Sequence, residues 1–178
     1  MATSVGRFYQ AQAEGVLLAV PMDSVRFLEF RKNPVRLSCL GTESLNGCSA
    51  VIIVSVSGAI LAHIPPRPNS DMSDPLAGDR NVQQKMEDIA NLYLRFACHF
   101  TSKMDNWVFS AVYENEIALQ DQRVIIERNL QSMGLAYTRL VYNVLAVDET
   151  RFPGQGTVLI DGTGPTPKVY VEDKLVSS

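Results

Sequence analysis

The sequence is poor in the residues that carry most protein chemistry, with three cysteines, two histidines and one tryptophan among 178 residues. Cys39, Cys48 and Cys98 make no disulfide framework, and with His63 and His99 they offer no metal-ligand spacing. Basic residues are not in excess. Sixteen Lys and Arg stand against 19 Asp and Glu, a net charge of −3, and the cations are scattered singly. That leaves no electrostatic footprint for nucleic acid. Long hydrophobic runs are missing as well. "GVLLAVPM" is too short to span a bilayer, and the run from Ser49 to Ile64 is broken by serines and Gly58 before the roughly 18 residues a spanning helix takes. The opening "MATSVGRFYQAQAEG" lacks the basic segment and apolar stretch of a secretory signal. Together these absences predict a soluble protein of a reducing compartment, with no membrane insertion and no nucleic-acid partner.

What is present suits one folded domain over residues 1–178, with its core over roughly 15–173 and short flexible termini. "EGVLLAVPM" and "NPVRLSCLG" read as early strands. "SAVIIVS" and "AILAHI" read as a β-hairpin turning at Ser57-Gly58. The segment 64–80, "IPPRPNSDMSDPLAGDR", is too rich in proline and aspartate to continue a sheet. It is expected either to gate a site or to serve as a solvated connector. Apolar residues from Met86 to Phe100 recur at helical spacing and predict a helix over roughly 82–101. "NWVFSAVYE" reads as a strand. "DQRVIIERNLQSMG" reads as a second helix, with Asp121 as N-cap and Gly134 just past its end. Three strands, "AYTRLVYNV", "GTVLID" and "KVYVED", complete the chain. The expected class is α/β of α+β-like character, a β-rich layered sandwich with two main helices on mixed or antiparallel sheet.

One segment carries reactive side chains a core does not require: "TESLNGCSAVIIVSVSGAILAHIPP", residues 42–66. A cysteine is a nucleophile as thiolate, and a histidine beside it can take the proton and return it to a leaving group. A third group then has to orient the imidazole. Cys48, His63 and Thr42 are candidates for these roles. Gly47 permits a turn with positive φ that exposes the sulfur, and backbone N–H groups of the Asn46-Gly47-Cys48 segment are candidates for oxyanion support. With a turn at Ser57-Gly58, His63 lies opposite Ile52. Cys48 then shares its face but sits four residues away, roughly 13 Å along a flat strand. The alternative reading makes Cys48 a small core residue and His63 structural. Cys39 has no histidine in register, the side chains of Cys98 and His99 diverge on a helix, and the glycines of "DGTGP" form a turn rather than a phosphate loop.

At Thr42, Cys48 and His63 the chain resembles the cysteine-dependent protein glutamine deamidases, of the chemoreceptor deamidase and cytotoxic necrotising factor types. "TESLNGC" has the threonine six residues before the cysteine, as in the chemoreceptor branch, and "GAILAHIPP" places the histidine fifteen residues after it. "QDQRVIIERNLQSMGLAYTRLVYNV" is similar to the family's late helix and strand, and "TVLIDGTGPTPKVYVED" to its closing hairpin. The likeness thus covers roughly residues 20–173. The chain departs in having Asn46 where serine or glycine is usual, and in lacking the chemotaxis enzyme's glycine-rich segments. The resemblance implies conversion of a protein-bound glutamine to glutamate through a thioester on Cys48, with His63 as base, Thr42 as its orienter and no cofactor. The implied partner is a protein carrying a reactive glutamine. Rival readings are a transglutaminase or cysteine peptidase with the same Cys-His pair, or a non-catalytic binding module. Two consequences are expected of a catalytic site: Cys48 labels well below pH 8 ahead of the other thiols, and Thr42→Ala lowers turnover while leaving stability nearly untouched.

Overall fold

The computed structural model describes residues 5–31, 36–69, 72–102 and 105–177. In chain order its elements are α1 (Arg7–Ala13), β1 (Leu17–Ala19), β2 (Ser24–Glu29), β3 (Cys39–Thr42), β4 (Ser49–Val54), β5 (Gly58–Ile64), α2 (Ala77–Arg95), β6 (Asp105–Tyr113), β7 (Glu116–Ile117), α3 (Gln120–Ser132), β8 (Thr138–Asn143), β9 (Val158–Asp161), β10 (Lys168–Val171) and β11 (Lys174–Leu175). One sheet runs β1-β3-β9-β10-β11. The other runs β2-β5-β4-β6, with β7 and β8 both paired to β6. Each sheet is antiparallel apart from one parallel pair, β1 with β3 and β6 with β8. The fold is α+β.

β4 and β5 are buried over their full length, which requires cover on both faces and accounts for their apolar stretches 50–54 and 59–62. On one face Ala50, Ile52, Val54, Ala59 and Leu61 meet Leu40, Val158, Ile160 and Val169 of the facing sheet. On the other, Val51, Ile53, Ile60, Ala62 and Ile64 meet Val82, Met86 and Ile89 of α2 and Ile126 and Leu130 of α3. Each fully buried Ile or Leu contributes about 1.5–3 kcal/mol by leaving water, so these two layers dominate the stability. α1 packs on the outer face of the first sheet, where Ala11 meets Cys39, Leu159 and Tyr170. The order of layers is therefore α1, sheet, sheet, helix pair.

Several sequence expectations are corrected. The core does not begin near residue 15: α1 (Arg7–Ala13) already buries Phe8 to 1% exposure. β2 was invisible because "SVRFLE" is half-buried and reads neither as alternation nor as a run. The second expected strand starts only at Cys39, and residues 32–35 lie outside the described residues. α2 starts at Ala77 rather than near 82, since its first turn carries no apolar stripe, and it stops at Arg95 before a 3-10 turn at Ala97–His99. The proline-rich connector is shorter accordingly. Asp121 does not cap α3. Leu119 is the N-cap, and Asp121 sits in the first turn, where its charge complements the helix dipole. Gly134 stands just past the helix at φ +72°, and the Leu135 N–H closes onto the Leu130 carbonyl at 3.0 Å, as a left-handed helix end requires. Among the described residues, no helix is long and apolar enough to cross a membrane.

Candidate active site

The turn between β4 and β5 decides where His63 sits. Ser55 closes it, donating its N–H to the Gly58 carbonyl (2.9 Å) and accepting at Oγ from the N–H groups of Ser57 and Gly58. The central residues are thus Val56 and Ser57, not Ser57 and Gly58. Gly58 belongs to β5, and glycine is needed there for closeness: a Cβ would stand 2.9 Å from the Phe27 ring and 3.0 Å from the Leu28 carbonyl. Moving the turn by one residue moves the register by two. His63 therefore pairs with Ala50, not Ile52, and keeps its face while approaching Cys48. A residue two positions from a directly opposed one lies about 7–8 Å away across a strand pair.

Thr42, at the end of β3, reaches His63 from the opposite sheet. Its Oγ1 lies 2.8 Å from His63 Nδ1 and donates to the Val20 carbonyl at 2.7 Å. A hydroxyl has one proton, and here the carbonyl takes it. Oγ1 consequently accepts from Nδ1–H, which leaves the lone pair of the neutral ring on Nε2. Thr42 and His63 are each 1% exposed. Burial pushes the imidazole down to about 4, against a weaker upward pull from the Asp23 carboxylate. The ring is neutral at physiological pH, and Nε2 has no hydrogen-bond partner among the described residues. A largely apolar pocket of about 400 Å³ opens onto His63, walled by Phe8, Val20, Pro21 and Met22, with Glu43 and Ser44 at its edge.

Cys48 stands just before β4 and is 4% exposed. Gly47 precedes it at φ +88°, and no heavy atom lies within 4 Å of where a Cβ would project. A left-handed turn open on that side suits glycine. Burial pushes the Cys48 thiol up, while the Asn46 backbone amide and the Arg151 guanidinium favour the thiolate more weakly. The geometry thus joins Thr42 to His63 and brings Cys48 to the same face, without a hydrogen bond between the thiol and Nε2. Asn46 faces the sulfur with its backbone. Its side chain is engaged with Leu145, accepting from the N–H at 2.9 Å and donating to the carbonyl at 3.3 Å.

Two residues near the sulfur escaped the sequence reading. Tyr142, 4% exposed, donates its hydroxyl to the Cys48 carbonyl at 2.7 Å. The amides of Gly47 and Cys48 face the same phenol oxygen, whose ionisation burial pushes up strongly. Arg151 comes from the long connection between β8 and β9. Tyr142 is one aromatic in a strand-like pattern 94 residues beyond Cys48, and no local spacing reports such a contact. Elsewhere, Cys39 lies beside Asp161 with its thiol pushed up to about 11. His99 packs against Phe27, with Nδ1 3.3 Å from Ser57 Oγ. Among the described residues, no group of three or more His, Cys, Asp or Glu could hold a metal ion. The chain matches no protein-family model and no curated protein.

The environment of the thiols reverses the expected order of labelling. Cys98 is exposed whereas Cys39 and Cys48 are buried, so iodoacetamide at pH 7.5 should modify Cys98 first and Cys48 slowly. Peptide mass mapping over time reads this directly. Cys48 labelling ahead of Cys98 would mean that its thiol is far more acidic and open than its surroundings allow.

Proposed function

We propose that the protein is a cysteine-dependent hydrolase that converts a glutamine of another protein to glutamate. The observation that carries this reading is the Val20 carbonyl–Thr42–His63 chain, which holds a buried neutral imidazole with its basic nitrogen free on the face that Cys48 shares. A core histidine ordinarily satisfies both nitrogens, because an unpaired buried polar atom costs about 1–3 kcal/mol. Leaving Nε2 unpaired is understandable where a proton has to be received.

In the proposed reaction the Cys48 thiol proton passes to Nε2 as sulfur attacks the carboxamide carbon. The carbonyl π pair moves to oxygen. The high thiol pKa makes this transfer concurrent with attack, not a step completed in the resting enzyme. The backbone amides of Gly47 and Cys48 are the candidate donors for the oxyanion, and Tyr142, whose one proton goes to the Cys48 carbonyl, holds that loop in place. Collapse breaks the C–N bond, and Nε2–H protonates the departing amide nitrogen to ammonia. Water then attacks the thioester, giving its proton to Nε2; the C–S bond breaks, and the sulfur recovers a proton from the ring. The Arg151 guanidinium favours the transient thiolate.

The burial of Cys48 favours a second reading, a non-catalytic binding module on the same fold. One assay separates them. A mixed protein extract incubated with the enzyme in oxygen-18 water should yield free ammonia and peptides in which particular glutamines have become glutamate bearing one labelled oxygen. Cys48→Ser should yield neither. Amine adducts or crosslinks at those glutamines would indicate a transglutaminase, and chain cleavage a peptidase. No change in any protein would leave the binding module.

A further inference from the structure

The mechanism leaves unused a groove of about 620 Å³ beside the loop that bears Cys48. Its apolar lining comes from Ile117, Leu119 and Val144, and Gly47 forms part of its wall. The charged side chains that line it are Glu114 and Glu116, both exposed. Neither is paired with a cation of the described residues. The groove and the Cys48 loop share residues. Asn46 bonds to both backbone groups of Leu145, next to Val144 in one wall, and Gly47 links the other wall directly to Cys48.

We infer that this groove docks the segment of the substrate protein that flanks the target glutamine, and that the segment is basic, with lysine or arginine beside an apolar residue. The inference rests on the deamidase reading for what is docked, and on the groove itself for its chemistry. An apolar floor beside two uncompensated carboxylates fits an apolar side chain with a cation next to it. An acidic segment would meet like charge, which costs specificity and association rate. Contact through Gly47 then delivers the neighbouring glutamine to the loop that bears the sulfur. Because the carboxylates are exposed, the attraction is screened by salt.

Two synthetic peptides test this, identical except that a central Leu-Gln is flanked by lysines in one and by glutamates in the other. Binding to the Cys48→Ser protein is read by fluorescence anisotropy at low ionic strength. The lysine peptide should bind about tenfold more tightly, the sum of two modest surface attractions, and molar salt should erase the difference. Glu114→Lys with Glu116→Lys should abolish or reverse the preference while leaving the thermal unfolding temperature unchanged, since both side chains are exposed. Equal binding of the two peptides, binding of neither, or a preference that survives the double reversal would overturn the inference. A charge preference as expected, with no ammonia released from the lysine peptide by the wild-type enzyme, would sink the deamidase reading while retaining the groove as a site for basic peptides.

Discussion

Thr42→Val should destabilise the fold by about 3 kcal/mol and, if the protein is the deamidase proposed above, lower glutamine turnover about a hundredfold or more. The valine fills the same space but removes the one hydroxyl that serves two buried partners, the Val20 carbonyl and His63 Nδ1. Each orphaned group costs roughly 1–3 kcal/mol because no water reaches it. The same two bonds argue against near-unchanged stability of Thr42→Ala, the expectation from sequence. Thr42 is not a strand-edge residue but a bridge between sheets at 1% exposure. Turnover falls because the ring is no longer held as the tautomer with a free Nε2, and acid–base assistance is commonly worth about 10²–10⁴ in rate. Thr42→Ser keeps the hydroxyl and loses one methyl group, so it should cost only about 1 kcal/mol and retain most of the activity. Denaturant unfolding and ammonia release, measured on both variants, check the two halves separately. Equal stability of Thr42→Val and wild type would show that the bridge does not form in solution.

Acidification should cost the protein about 3 kcal/mol between pH 7 and pH 4 through His63 alone. The imidazole is depressed by burial from its ordinary 6.5 to about 4. Between those values the unfolded chain binds a proton that the folded chain refuses, so stability rises with pH. The contribution is complete above 6.5 and is lost as pH falls toward 4. At 1.36 kcal/mol per pH unit the interval is worth about 3 kcal/mol. His63→Gln, which cannot titrate, should flatten this part of the profile, whatever its stability at pH 7. Unfolding curves of the two proteins from pH 7 to pH 4 measure the difference in slope. Parallel profiles would place His63 in water, with an ordinary pKa. Turnover limited by a neutral Nε2 should likewise persist well below pH 6.5, where an exposed histidine base would already be protonated.

Much of the architecture is legible in local patterns because local physics writes it. The β-branched and apolar runs at 50–54 and 59–62 announce the two strands of a hairpin. The spacing of Met86, Ile89 and Tyr93 announces the inward side of α2, and Gly134 marks where α3 must end. α1 and β2 were not legible, since each acquires its buried face only by packing against a neighbour. The site divides in the same way. The residue types and the order Thr42, Gly47, Cys48, His63 can be read along the chain, because nucleophile, base and hydroxyl are chemical identities. Their geometry cannot. A turn one residue earlier than the Ser-Gly pair suggests changes the partner of His63 from Ile52 to Ala50, and Ser55 side-chain hydrogen bonds make that choice. Sequence by itself determined which groups this protein could use and which faces of its strands are apolar. Tertiary structure alone decided that Thr42 meets His63 across two sheets, that Tyr142 and Arg151 come to the sulfur, and that the thiol is buried and neutral. Those outcomes depend on long-range packing and desolvation, and neither is encoded in any single stretch of chain.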